Sequence, residues 1–66
     1  MKADHVEISR DEQNKRWVIR IQVGGEVIRR YCKEPQNADQ ATLRDAALKT
    51  ASDEGYSIEP ADIVFA

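Results

Sequence analysis

The chain has 66 residues, enough for one small domain and not two, because domains run from about 50 to 250 residues and a chain this short buries only about 60% of its unfolded surface. With 41% hydrophobic and 33% charged residues, three Gly and two Pro, the composition is globular, which excludes a disordered or membrane-spanning chain and leaves little volume for a deep active-site cavity. Ten Lys and Arg against twelve Asp and Glu give a net charge of -2, so the whole molecule is not an obvious polyanion binder.

Val6-Glu7-Ile8 alternates apolar and polar residues as a half-buried strand does, and the wholly polar run from Asp11 to Arg16 reads as a loop. Trp17 to Val23 is rich in β-branched and aromatic residues, Gly24-Gly25 follows, and Glu26 to Cys32 repeats the pattern. Two such runs separated by two glycines predict a hairpin with a primed turn. With the glycines as the loop, Val23 faces Glu26, Ile21 faces Ile28, Arg20 faces Arg29, Val18 faces Tyr31 and Trp17 faces Cys32. Opposed residues share a face, so Trp17, Ile19, Ile21, Val23, Ile28 and Cys32 form a core face. Val18, Arg20, Gln22, Val27, Arg29 and Tyr31 form the other. Placing Val6 and Ile8 on the core face sets Val6 against Ile21, Ile8 against Ile19 and Glu7 beside Arg20.

Pro35 closes the third strand, and Asn37 is a candidate N-cap with Gln40 three residues on, as in a capping box. The helix is expected from about Ala38 to Glu54, stopped by Gly55 in a left-handed cap, with Leu43, Ala46, Ala47, Thr50 and Ala51 facing inward. Tyr56 and Ile58 are expected to fold back on the helix end, and Asp62 to Phe65 reads as a short last strand. The predicted fold is α+β, a single domain over residues 1–66: a three-stranded antiparallel meander, one helix packed on one face, and a short C-terminal strand, in the order βββαβ. The position of that last strand in the sheet stays open, beyond a parallel pairing with a neighbour. One helix covers one face, so the face bearing Val18, Val27, Tyr31, Arg20 and Arg29 is expected to lack cover from the chain itself.

Catalytic and metal chemistry find no support in this pattern. His5 and Cys32 fall on opposite faces, which excludes a Cys-His nucleophile pair, and two candidate ligands do not make a zinc site. Gly24-Gly25 precedes no helix and so is no phosphate loop. The pairs Asp11-Glu12 and Asp53-Glu54 lack an apolar pocket that would raise one carboxyl for acid-base work. No enzyme activity, cofactor or metal is expected. The lone cysteine forbids an internal disulfide and suits a reducing compartment. Residues 1–7 lack the apolar core of a signal peptide and no apolar run approaches a membrane span, so a cytoplasmic location without membrane contact is expected.

Charge is divided along the chain. Residues 1–35 carry eight basic and six acidic side chains, whereas residues 36–66 carry two basic and six acidic. Arg20 and Arg29, facing each other, repel unless Glu7 or a partner's anion lies between them. With Tyr31 and Val18 they make a candidate contact patch of the Arg and Tyr type enriched in binding hot spots. Asp45, Asp53 and Glu54 make a second candidate, an acidic helix surface suited to basic grooves. Arg30 points toward the core side, with Asp45 as its candidate partner.

The segment from Arg16 to Arg30 followed by a helix resembles the arm-type DNA-binding domain of tyrosine recombinases over about half the chain. That resemblance implies base or phosphate contacts from Arg20, Arg29 and Tyr31, although the acidic helix and the extra last strand depart from the family. The βββαβ order also looks like the partial double-stranded-RNA-binding fold of small antitoxins. With its small size, separated charge and uncovered sheet face, the chain is similar to the small acidic α/β proteins among phage-encoded inhibitors, anti-CRISPR proteins included, which block basic nucleic-acid-handling machines by surface complementarity. The leading expectation is therefore a regulatory or inhibitory protein binding a protein or nucleoprotein complex. A nucleic-acid-binding module is the alternative, and homodimerisation is compatible with either.

Overall fold

A computed structural model describes all of residues 1–66. Strand β1 (His5–Asp11), β2 (Arg16–Val23) and β3 (Glu26–Cys32) are followed by helix α1 (Gln40–Asp53), a 3-10 turn (Pro60–Asp62) and β4 (Ile63–Phe65). The four strands form one mixed sheet in the order β3-β2-β1-β4, with β4 parallel to β1 and the other pairs antiparallel. This is the expected α+β meander with one helix, and the last strand now has its place beside β1.

Both antiparallel registers are those that the glycine pair and the period of two require. Gly24 takes φ +59° at the first turn position, where only a residue without Cβ sits without strain. Asp4 fastens the turn from the side, its Oδ2 accepting the Gly24 N–H at 2.9 Å. β2 then faces β3 from Val23 opposite Glu26 to Trp17 opposite Cys32. Val6 lies opposite Ile21 and Ile8 opposite Ile19. β1 runs further than Val6 to Ile8 predicts, because Ser9, Arg10 and Asp11 continue the ladder opposite Val18, Trp17 and Arg16. The loop shrinks to Glu12–Lys15. The Asp11 carboxylate holds it by accepting from the Asn14 backbone N–H and side-chain amide at 3.2 and 2.8 Å, bonds that also keep the carboxyl below its ordinary pKa.

The core is one cluster between the inner sheet face and α1. Val6, Ile8, Ile19, Ile21, Cys32 and Ile63 from the strands meet Leu43, Ala47 and Ala51 from the helix. Alanines at 47 and 51 let the helix axis come close to the sheet, which suits a chain with too few large apolar residues for a thick core. Trp17 lies at the end of this face, half-buried, with its indole N–H donating to the Pro35 carbonyl at 3.0 Å and the Arg10 guanidinium 5.3 Å from the ring centre. Ala3, which carries no signal in the sequence, is buried too. It is drawn in because residues 1–3 exchange backbone bonds with Ser57.

The helix start differs from expectation. Asp39, not Asn37, is the N-cap: its carboxylate accepts the Thr42 N–H at 2.8 Å. The Ala38 N–H is already committed to the Pro35 carbonyl at 3.0 Å, so residues 35–38 close a turn and the helix begins after it. At the other end Gly55, with φ +88°, donates to Ser52 O while Tyr56 donates to Ala51 O. These are the two bonds of a Schellman cap. No helix is long and apolar enough to cross a membrane.

The Asp39 cap carries a pH signature. Bonds from Thr42 to the ionised carboxyl hold its pKa below the ordinary aspartate value. A folded-state pKa below the unfolded one contributes stability at pH above the unfolded value, lost as pH falls through the folded one. Asp39→Ala should therefore lower the melting temperature at neutral pH and lose that effect in acid, whereas Asp39→Asn, which keeps a capping oxygen, should melt close to wild type. Equal melting of wild type and Asp39→Ala at pH 7 would contradict the cap.

Candidate functional site

The helix covers only the inner sheet face, and the outer face is a grid whose rows follow from the registers. Tyr31, Val18 and Ser9 form one row; Arg29, Arg20, Glu7 and Val64 the next; Val27, Gln22 and His5 the third. Arg16 and Asp11, opposite each other, close the end. Three arginines thus face two carboxylates in a molecule whose total charge is -2.

Within this grid the charges are not equally committed. Arg20 Nη1 lies 3.0 Å from Glu7 Oε1, an ion pair with both side chains part-exposed. Arg16 stacks its guanidinium over the Tyr31 ring at 3.8 Å from the centroid, a cation–π geometry. Arg29 has no carboxylate partner and is exposed. Beside it Tyr31 and Val27 are 52% and 49% exposed. Arg20 stands as a ridge between two depressions of about 210 and 370 Å³, one lined by His5, Glu7 and Val27, the other by Ser9, Arg29 and Tyr31.

Of the four sheet-face residues expected to meet a partner, Arg20, Arg29 and Tyr31 are brought together on an open surface. Val18 is not presented. It is only 7% exposed, because β2 is a central strand and the longer side chains around it, Arg16, Arg20 and Tyr31, spread over a short β-branched residue. Val18 lines the larger depression and offers little surface of its own.

The acidic helix surface is weaker than its sequence suggests. Arg30 crosses from β3 to Glu54, not to Asp45, so Glu54 is held in an internal ion pair with Arg30. Asp53 pairs with Lys49 one turn earlier, at 3.4 Å. Asp45, Lys49 and Asp53 follow one another at spacings of four, which alternates sign along that line. Asp45 is exposed without an ion pair. The three carboxylates therefore do not form a continuous negative face.

His5 lies on the outer face opposite Gln22, and Cys32 is buried in the core with its thiol pKa pushed up by burial. The two side chains sit on opposite faces of the sheet. Arg16, which the polar run places in the loop, belongs to the outer face opposite Asp11; its position one residue before Trp17 in an alternating run is the signal for it in the sequence. No protein-family model, curated protein or solved structure matches the chain.

Proposed function

We propose that this is a non-enzymatic interaction protein, a cytoplasmic regulator or inhibitor, whose outer sheet face docks on an acidic surface of a protein or nucleoprotein partner. One observation carries the reading: Arg29 is exposed and unpaired directly opposite Arg20, with Tyr31 and Val27 half-exposed at its sides. Facing like charges weaken a strand pair, and an anionic group on a partner removes that penalty. The aromatic and apolar neighbours supply area that a surface charge pair by itself does not.

Nucleic acid is the second reading, favoured by the Arg16–Tyr31 stack next to Arg29. Glu7 and Asp11 on the same face and a net charge of -2 oppose it. Photo-crosslinking separates the two. With benzoylphenylalanine at position 31, a defined protein should be captured in cells, and the same group at position 45 should capture none. Capture from position 45 alone would shift the site to the helix. Capture of nucleic acid, with retention falling by a log-log salt slope of about -0.9 per phosphate, would establish the second reading.

A further inference from the structure

The two edges of the sheet are built differently. β4 is three residues long and is preceded by Pro60 in a 3-10 turn, features that keep an edge from recruiting another strand. β3 has seven residues, no proline and no bulge, its pairing with β2 unbroken from Glu26 to Cys32. Because the two-residue loop makes Val23 and Glu26 a hydrogen-bonded pair, Ile28 and Arg30 also spend their backbone groups on β2, while Val27, Arg29 and Tyr31 direct theirs outward. The Arg29 carbonyl is capped by the Arg30 guanidinium of the same chain at 2.8 Å. No turn, loop or cap bond reaches the other outward groups.

We propose that β3 pairs with β3 of a second copy of this chain, antiparallel about a two-fold axis at Ile28, joining two four-stranded sheets into one of eight strands. Charge selects the occupant and the register. With the axis at Ile28, Glu26 lies opposite Arg30 of the second copy, and Arg30 opposite its Glu26, so two ion pairs of opposite sign form. The outward backbone groups of Val27 then meet those of Arg29 of the second copy, the alignment an antiparallel ladder needs. An axis at Arg29 would instead set Arg29 against its own copy, and an axis at Val27 would align Arg30 with Gly24 and waste half of the strand. Ile28 supports the same axis. The helix packs over β1 and β2, leaving Ile28 only half-buried on the inner face, and the two-fold places it against Ile28 of the second copy. In the exchange Arg30 Nη1 leaves its own-chain carbonyl while Nη2 keeps its ion pair with Glu54, so the cap that protects the edge in the monomer becomes the group that closes the dimer.

This inference does not rest on the outer-face partner, and its test uses the purified chain alone. Sedimentation from micromolar to millimolar concentration should show the mass rising from 7.5 kDa to twice that value. Glu26→Arg, which sets like charges at both ends of the seam, should remain a single chain throughout. Arg30→Glu should do the same, and Glu26→Arg with Arg30→Glu should regain the doubled mass, each checked for retained fold by circular dichroism. In a non-hydrogen-bonded pair the Cα atoms lie about 4.5 Å apart, within disulfide reach, so Ile28→Cys should oxidise to a 28-to-28 linked dimer while wild type, with Cys32 buried, does not crosslink. A single-chain mass at every concentration, a dimer indifferent to Glu26→Arg, or no disulfide from position 28 would each overturn the proposal.

Discussion

Ile21→Ala should remove a large share of the protein's stability at 25 °C. Ile21 is fully buried, sits between Val6 and Ile28 across the sheet, and belongs to the one core cluster of the chain. Removing three carbons from such a site costs about 2 to 5 kcal/mol, the transfer term plus the cavity left behind. A chain of 66 residues has a total stability of only about 3 to 10 kcal/mol at the usual value per residue. No disulfide makes up the difference, since Cys32 is free. The alanines at 47 and 51 cannot extend into the cavity, and the helix already lies close to the sheet. In urea, with a slope of about 1 kcal/mol per molar, the midpoint should fall by about 2 M or more. Val27→Ala, a comparable truncation on the outer face at 49% exposure, should move it by no more than about 0.5 M, since surface changes stay within about 0.5 kcal/mol. Equal midpoints for the two variants would mean that the inner face is not the core.

The registers were legible because two constraints coincide. A two-residue glycine loop leaves a single register for β2 against β3, and the period of two allows only one placement of Val6 and Ile8 that buries both. Every pair named from the sequence, including Glu7 beside Arg20, is the pair formed. What escaped was set by contacts far apart in sequence or by competition between equivalent local signals. Asn37 and Asp39 are both capping residues, and the choice between them falls to the Pro35 to Ala38 turn. The burial of Ala3 depends on Ser57 coming alongside Met1, for which an isolated alanine gives no warning. Arg30 chooses Glu54 over Asp45 because the third strand passes near the C-terminal end of α1, and the angle of a helix across a sheet is not written in its own periodicity. Val18 shows the limit of a face assignment: the alternation names the correct face, while its burial is decided by the length of the side chains around it.

Arg29→Glu should stabilise the fold and weaken, by about 30-fold or more, the docking proposed for the outer face. In the hairpin Arg20 and Arg29 form a non-hydrogen-bonded pair, the closer of the two kinds, with Cα atoms about 4.5 Å apart. Glu7 reaches Arg20 from the β1 side, which neutralises one arginine and leaves the other. Replacing Arg29 by glutamate turns a repulsive pair into an attractive one and places Arg20 between two carboxylates. Cross-strand pairs of this kind contribute about 0.2 to 1 kcal/mol, so the melting temperature should rise by a few degrees, at about 4 to 8 °C per kcal/mol in a domain of this size. If the outer face binds an acidic surface, the same substitution sets a carboxylate against that surface and removes a central Arg contact, a loss of at least about 2 kcal/mol or about 30-fold in affinity. Arg29→Gln separates charge from shape, since it removes the repulsion without adding a carboxylate, and should fall between wild type and Arg29→Glu in both measurements. A variant that melts higher and binds as wild type would leave Arg29 without a role on this face. One that melts lower would show that Arg29 supports the fold, contrary to the repulsion its register imposes.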